Sequence, residues 1–166
     1  MKKILSYSCC LLLIPVLVSV AQAVETGVNV PECQLRHMTE DKLVPLSVPG
    51  RVVYVDFWAS WCGPCVQSMP FMNEIQEQYR SQGLDVVAVN VDENREDAEA
   101  FLKAHPANIT IAQSTDGQCP AQFGVQAMPS SYLIDKHGKI RHIQLGFRSS
   151  ETAAVREKIQ GLLQEN

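Results

Sequence analysis

Trp58-Ala59-Ser60-Trp61-Cys62-Gly63-Pro64-Cys65 decides the reading of this chain. Two cysteines separated by two residues can close a small disulfide ring and open it again. Just upstream, Val52-Val53-Tyr54-Val55-Asp56-Phe57 is β-branched and aromatic, the composition of a buried strand. Downstream, the residues up to Arg80 carry no β-rich run and suit a helix. The pair therefore falls where a strand hands over to a helix, with Cys62 expected at the helix N-terminus. There, unpaired backbone N–H groups and the helix dipole favour negative charge. A thiolate is such a charge, so Cys62 is the expected attacking sulfur and Cys65, one turn further in, the less exposed resolving partner.

Cys-x-x-Cys is also half of a zinc site, which needs a second pair of ligands. No other Cys-x-x-Cys occurs, and His37, His105, His137 and His142 form no ligand-like pair, so no metal is expected. A purely structural role is the plainer alternative, but so small a ring crosslinks almost no chain and stabilises little. Redox chemistry is the better reading, and it needs no cofactor.

Asp56-Phe57-Trp58-Ala59-Ser60-Trp61-Cys62-Gly63-Pro64-Cys65 resembles the active-site segment of the thioredoxin superfamily. Pro70, five residues after the second cysteine, matches the proline that kinks the active-site helix of that superfamily. Met128-Pro129, between Gly124-Val125 and Ser131-Tyr132-Leu133-Ile134, resembles its cis-proline loop, and Gly146 follows at a matching distance. The resemblance spans about 110 residues. It implies an α/β, thioredoxin-like fold: a central mixed sheet flanked by helices.

The chain starts Met1-Lys2-Lys3, runs apolar from Cys9 to Val20, and reaches Ala21-Gln22-Ala23, the pattern of a secretory signal peptide cleaved after Ala23. An uncleaved N-terminal membrane anchor is the alternative. Residues 24–166 have the length of one domain. Without Lys2 and Lys3, 12 of the 14 basic residues remain against 18 acidic ones, a formal charge of −6 rather than −4. With no basic run, nucleic acid is not an expected partner. Export combined with a redox pair points to an oxidising compartment, most simply a bacterial periplasm.

Nothing from Val24 to Asn29 signals order. Pro31–Leu35 and Leu43–Leu46 flank a polar turn and suggest an N-terminal β-hairpin. Leu84–Val91 reads as a buried parallel strand after a stop at Gly83. Asp92-Glu93-Asn94 is expected to cap a helix through Ala104, with Ala98, Phe101 and Leu102 facing the core, and Ile109-Thr110-Ile111 to form a short strand. This strand–helix insertion before the cis-proline loop, together with the hairpin, resembles the exported TlpA/ResA branch, which includes cytochrome c maturation thioredoxins. Cys119–Gly124 suggests a short helix, Ser131–Ile134 and Ile140–Leu145 an antiparallel hairpin. Ser149 or Ser150 is the expected cap of a last helix with Ala154, Val155, Ile159, Leu162 and Leu163 on its apolar stripe.

In thioredoxins the aspartate at the place of Asp56 lies beneath the disulfide and helps move the resolving cysteine's proton, a role the resemblance extends to Asp56. Burial raises a carboxyl pKa, which suits a base near neutral pH. The TlpA/ResA branch often carries Asn there and a glutamate at the position of Ser68, so this chain joins a thioredoxin-like proton handler to an exported-branch scaffold. Met128-Pro129 is expected to face the disulfide and present backbone groups to an extended substrate. Trp61 is the expected substrate contact, and Trp58 the core residue. Cys33 and Cys119 either form a second disulfide or remain buried thiols; the sequence leaves both open. The cluster Asp92–Asp97 reads as a solvated helix start.

Gly63-Pro64 is the dipeptide of reducing thioredoxins, so the resemblance implies an exported thiol-disulfide oxidoreductase that reduces disulfides of envelope proteins. Its electrons would come from a membrane reductase of the DsbD type. An oxidant donating its disulfide to folding proteins, and a non-catalytic thioredoxin-fold binding module, are the alternatives.

Overall fold

The computed structural model describes residues 24–114 and 116–165; the expected signal peptide lies outside them. The elements run β1 (Leu35–His37), β2 (Val52–Trp58), α1 (Cys65–Tyr79), β3 (Leu84–Asn90), α2 (Arg95–Ala104), β4 (Thr110–Ser114), α3 (Cys119–Gln122), β5 (Ser130–Ile134), β6 (Ile140–Leu145) and α4 (Thr152–Gln164). They build one mixed sheet of order β1-β4-β3-β2-β5-β6, parallel for β2/β3 and β3/β4 and antiparallel for β1/β4, β2/β5 and β5/β6. This is the thioredoxin-like arrangement, with β1, α2 and β4 as additions.

β2 lies at the centre, and all seven of its residues are buried. Successive side chains of a strand point to opposite faces. Val52, Tyr54 and Trp58 accordingly join Cys65, Met69, Met72 and Ile75 of α1 and Val155, Ile159 and Leu162 of α4 in one apolar layer. Val53, Val55 and Phe57 join Leu35, Val44, Leu46, Cys119 and Phe123 in the layer on the other face. Asp56 has the parity of Tyr54 and Trp58, so it falls on the α1 face. β4 meets β3 only from Val87 onward. Ahead of that point, the buried Gln76 side chain of α1 takes the place of a strand: its Nε2 donates to the carbonyl of Leu84 (3.1 Å), and its Oε1 accepts from the N–H of Val86 (2.8 Å).

Several local expectations change. Residues 27–30 are ordered: the N–H groups of Gly27 and Val30 donate to the carbonyls of Ile140 and Gly138, so this segment pairs along the start of β6. The N-terminal hairpin has one true strand, β1, facing a single bridge at Leu43, because β1 takes its main partner from β4. α1 begins at Cys65, not Cys62. The last helix starts at Thr152 behind a 3₁₀ turn of Ser149–Glu151, with no side-chain cap from Ser149 or Ser150. Ala154 is exposed, while Val155, Ile159 and Leu162 carry the buried stripe. Gly146 stands just past β6 rather than within it, at φ 77°. No helix among the described residues is long and apolar enough to cross a membrane.

Candidate active site

Cys62 and Cys65 form a disulfide with Cα atoms 5.3 Å apart, at the junction of β2 and α1. Cys62 sits in the turn before the helix. Its N–H donates to the carbonyl of Ala59, and its own carbonyl accepts from Cys65. The N–H groups of Val66 and Gln67 are already taken by the carbonyls of Gly63 and Pro64. The first-turn donors expected to face a thiolate therefore spend themselves within the turn, as short i→i+3 bonds do at helix ends. Cys62 is 4% exposed and Cys65 fully buried, so the outer cysteine is Cys62. Pro70 stands inside α1 and supplies no N–H for the carbonyl of Val66.

The loop between β2 and Cys62 is tied down by a residue the sequence reading treated as solvated. Asp92 is buried, and its carboxylate accepts from the N–H of Ser60 (2.9 Å), the hydroxyl of Ser60 (2.9 Å) and Nδ2 of Asn90 (2.8 Å). Val91, just past β3, adds an N–H bond to the carbonyl of Trp58. The signal was in the sequence: Asp92 follows Leu84–Val91 directly, at the same end of the sheet at which β2 runs into the cysteine loop.

Asp56 is fully buried on the α1 face, opposite Ser131 of β5 on one side and Ala88 of β3 on the other. The Ser131 hydroxyl donates to Oδ1 at 2.6 Å, whereas Oδ2 has no hydrogen-bond partner among the described residues. Burial pushes the carboxyl pKa up from 3.8 to about 7, against smaller lowering effects of the Ser131 and Ser68 hydroxyls. Ser68, one turn beyond Cys65, is buried and hydrogen-bonds the carbonyl of Cys65 (3.3 Å). The Tyr54 hydroxyl is held protonated by burial first and by the Asp56 charge second. The carboxyl lies on the strand that leads into the cysteine pair, with a pKa near neutrality that suits proton exchange.

Met128-Pro129 is a cis peptide. Pro129 is buried and Met128 half-buried against both apolar layers. The loop is held from two sides: the N–H of Gly146 donates to the carbonyl of Pro129 (2.8 Å), and the Ser130 hydroxyl to that of Ala127 (2.7 Å). Trp61 is 71% exposed beside the disulfide, while Trp58 is fully buried and stacked at 4.9 Å on Phe101. Cys33 and Cys119, which the sequence left either bridged or free, are bridged in the structure, with Cα atoms 5.2 Å apart at a sequence separation of 86. The bridge ties the N-terminal segment to α3 on the face of the sheet away from Asp56. No cluster of His, Cys, Asp or Glu among the described residues has the arrangement of a metal site.

The Redoxin family profile matches residues 25–159. The thiol-disulfide oxidoreductase ResA of Geobacillus thermodenitrificans is 33% identical over 129 residues, covering 78% of this chain and 74% of that protein. Among solved structures, a Chlorobium tepidum protein described as a thiol:disulfide interchange protein, DsbE, superposes with a TM-score of 0.79 at 44% identity, covering 85% of this chain and 99% of the other. A Bacteroides thetaiotaomicron protein described as a protein disulfide isomerase superposes with a TM-score of 0.77 at 26% identity, covering 86% and 92%.

Proposed function

The chain belongs to the redoxin family, close to the TlpA/ResA-type thiol-disulfide oxidoreductases, and from that premise we propose that it reduces disulfides of exported proteins in a bacterial periplasm. The observation that carries this reading is the Cys62–Cys65 bridge at the end of β2, the strand that also carries the buried, half-satisfied Asp56. In the reduced protein the Cys62 thiolate attacks one sulfur of the substrate disulfide, forming a mixed disulfide and releasing the first substrate thiolate. Asp56 takes the proton of the Cys65 thiol. The Cys65 thiolate then attacks Cys62 Sγ, the Cys62–Cys65 bond forms, and the second substrate thiolate leaves with the electron pair. Two electrons pass to the substrate, and Asp56 afterwards gives its proton to solvent. Trp61 and the Met128-Pro129 backbone receive the substrate on either side of the sulfurs, the exposed indole as an apolar contact and the loop as a strand-like edge. A membrane dithiol donor of the DsbD type restores the reduced pair.

The test is the equilibrium reduction potential of Cys62/Cys65 against a glutathione series. A value near that of thioredoxin, about −270 mV, fits a reductant that needs an electron supply. A value near about −120 mV overturns the direction and makes the protein a disulfide donor.

A further inference from the structure

The proton-handling carboxyl is held by an uneven set of neighbours. Of the strands beside Asp56, β3 offers Ala88, which can donate nothing, and β5 offers Ser131. α1 brings Ser68, whose hydroxyl donates to the carbonyl of Cys65 and also acts weakly on the carboxyl. β2 itself brings Tyr54, whose hydroxyl lies by Ser131. Among the described residues no Lys, Arg or His acts on the carboxyl. Among the described residues the direct hydrogen bond to it comes from Ser131, at 2.6 Å to Oδ1, and the Ser68 hydroxyl adds a smaller effect.

We propose that Ser131 is a positioning residue for proton transfer: by donating its hydroxyl hydrogen to Oδ1, it locks the carboxyl so that Oδ2 takes the proton of the resolving cysteine. This rests on the reading of Asp56 as the proton handler. The step is balanced: the proton passes from Cys65 Sγ to Asp56 Oδ2, the electron pair stays on sulfur, and the Ser131 hydroxyl keeps its own hydrogen throughout. Two consequences follow from a donor that faces one oxygen. The carboxylate is stabilised relative to the acid, because a hydroxyl that donates to it favours the charged form. The carboxyl is also denied the rotation that would turn its bonded oxygen towards the sulfur. Ala88 supplies no alternative donor and Ser68 acts more weakly, so the β5 residue is the main determinant of both properties.

The experiment follows the resolving step in stopped flow, as release of the second 5-thio-2-nitrobenzoate from the reduced protein mixed with the aromatic disulfide, between pH 5.5 and 9.5. Parent, Ser131→Ala, Ser131→Thr, Asp56→Asn and the Ser131→Ala/Asp56→Asn double variant are compared. Loss of one hydrogen bond to a charged group is expected to move the midpoint of the Ser131→Ala profile up by about one pH unit, and to slow resolution about tenfold below it. Ser131→Thr, which keeps the hydroxyl, restores the parent profile, and the double variant behaves as Asp56→Asn alone. The infrared carbonyl stretch of protonated Asp56 in the oxidised protein, identified by its loss in Asp56→Asn, moves its titration midpoint in the same direction. Ser131→Val, a strand-compatible residue with no donor, replaces Ser131→Ala if that variant does not fold. An Asp56→Asn profile that loses its pH dependence while Ser131→Ala keeps the parent midpoint overturns the role of Ser131 and leaves Asp56 as the base. An unchanged Asp56→Asn profile overturns both.

Discussion

Replacing Asp56 by Asn should stabilise the oxidised protein, and by an amount that grows with pH. The folded carboxyl titrates near 7 because burial penalises its charge, against an ordinary value of 3.8. Below pH 3.8 the group is protonated in both folded and unfolded chains and costs nothing. As pH rises through the window from 3.8 to 7, the unfolded chain releases the proton first, so stability is lost, and above 7 the loss is complete. A difference of about three pKa units corresponds to about 4 kcal/mol at pH 8, and to about 2 kcal/mol at pH 5. Asn keeps an oxygen for the Ser131 hydroxyl but puts an amide N–H where Oδ2 has no partner, a cost of about 1–3 kcal/mol that does not vary with pH. The gain in Asp56→Asn should therefore rise by about 2–3 kcal/mol between pH 5 and pH 8, whatever its absolute size. Denaturant unfolding of both oxidised proteins at a series of pH values measures this. The disulfides keep all four described cysteines out of the titration. A stability difference that stays flat from pH 5 to pH 8 would refute the claim that this carboxyl titrates near neutrality.

The Cys33/Cys119 pair and the Asp92 network give further tests. Replacing both Cys33 and Cys119 by Ala frees a closed loop of 86 residues' separation in the unfolded chain and should cost about 4 kcal/mol, read as a lower denaturant midpoint, while turnover of a disulfide substrate at 25 °C persists. Asp92→Ala leaves the Ser60 N–H, the Ser60 hydroxyl and the Asn90 amide without their acceptor. It should destabilise by about 2–4 kcal/mol and change the alkylation rate of reduced Cys62, since the loop that carries this sulfur loses its anchor.

The two readings that came furthest from sequence alone were the strand–turn–helix around the cysteines and the order of elements after it, because both rest on strong local signals. Seven residues of unbroken β-rich sequence produce β2, and Gly83, with φ 109°, stops the helical segment at the residue expected. What the sequence hid has physical causes. The order of residues 27–30 comes from backbone bonds to Gly138 and Ile140, more than 100 positions away, which no local pattern reports. Asp92 looked like part of an acidic helix start because Glu93, Glu96 and Asp97 surround it; only the adjacency of β2 and β3 turns it inward onto Ser60. Ser131 reads as an ordinary small polar residue in a strand until the antiparallel register sets it against Asp56. The Cys33–Cys119 bridge needed the three-dimensional approach of α3 to the N-terminal segment, since spacing alone cannot supply a pairing.

The alternation of β2 explains how one strand carries a destabilising group and remains folded. Residues 52, 54, 56 and 58 face α1, so the chemistry lies on that side: Asp56 between Tyr54 and Trp58, on the face against which Cys65 and Ser68 of α1 are buried. Residues 53, 55 and 57 face the opposite layer, a hydrophobic cluster that includes Cys119 of the Cys33–Cys119 bridge. An ionised Asp56 costs about 4 kcal/mol at alkaline pH, a large share of the roughly 5–15 kcal/mol that hold a domain together. The bridge contributes a stabilisation of about the same size by restricting the unfolded chain. Because the two act on opposite faces, neither disturbs the packing of the other, and their effects should add. A chain with Asp56→Asn and without the bridge should then be less stable than the parent at both pH values, by about 2–3 kcal/mol more at pH 5 than at pH 8. The fold thus carries a carboxyl at the edge of ionisation on one face of β2 and a stabilising crosslink on the other.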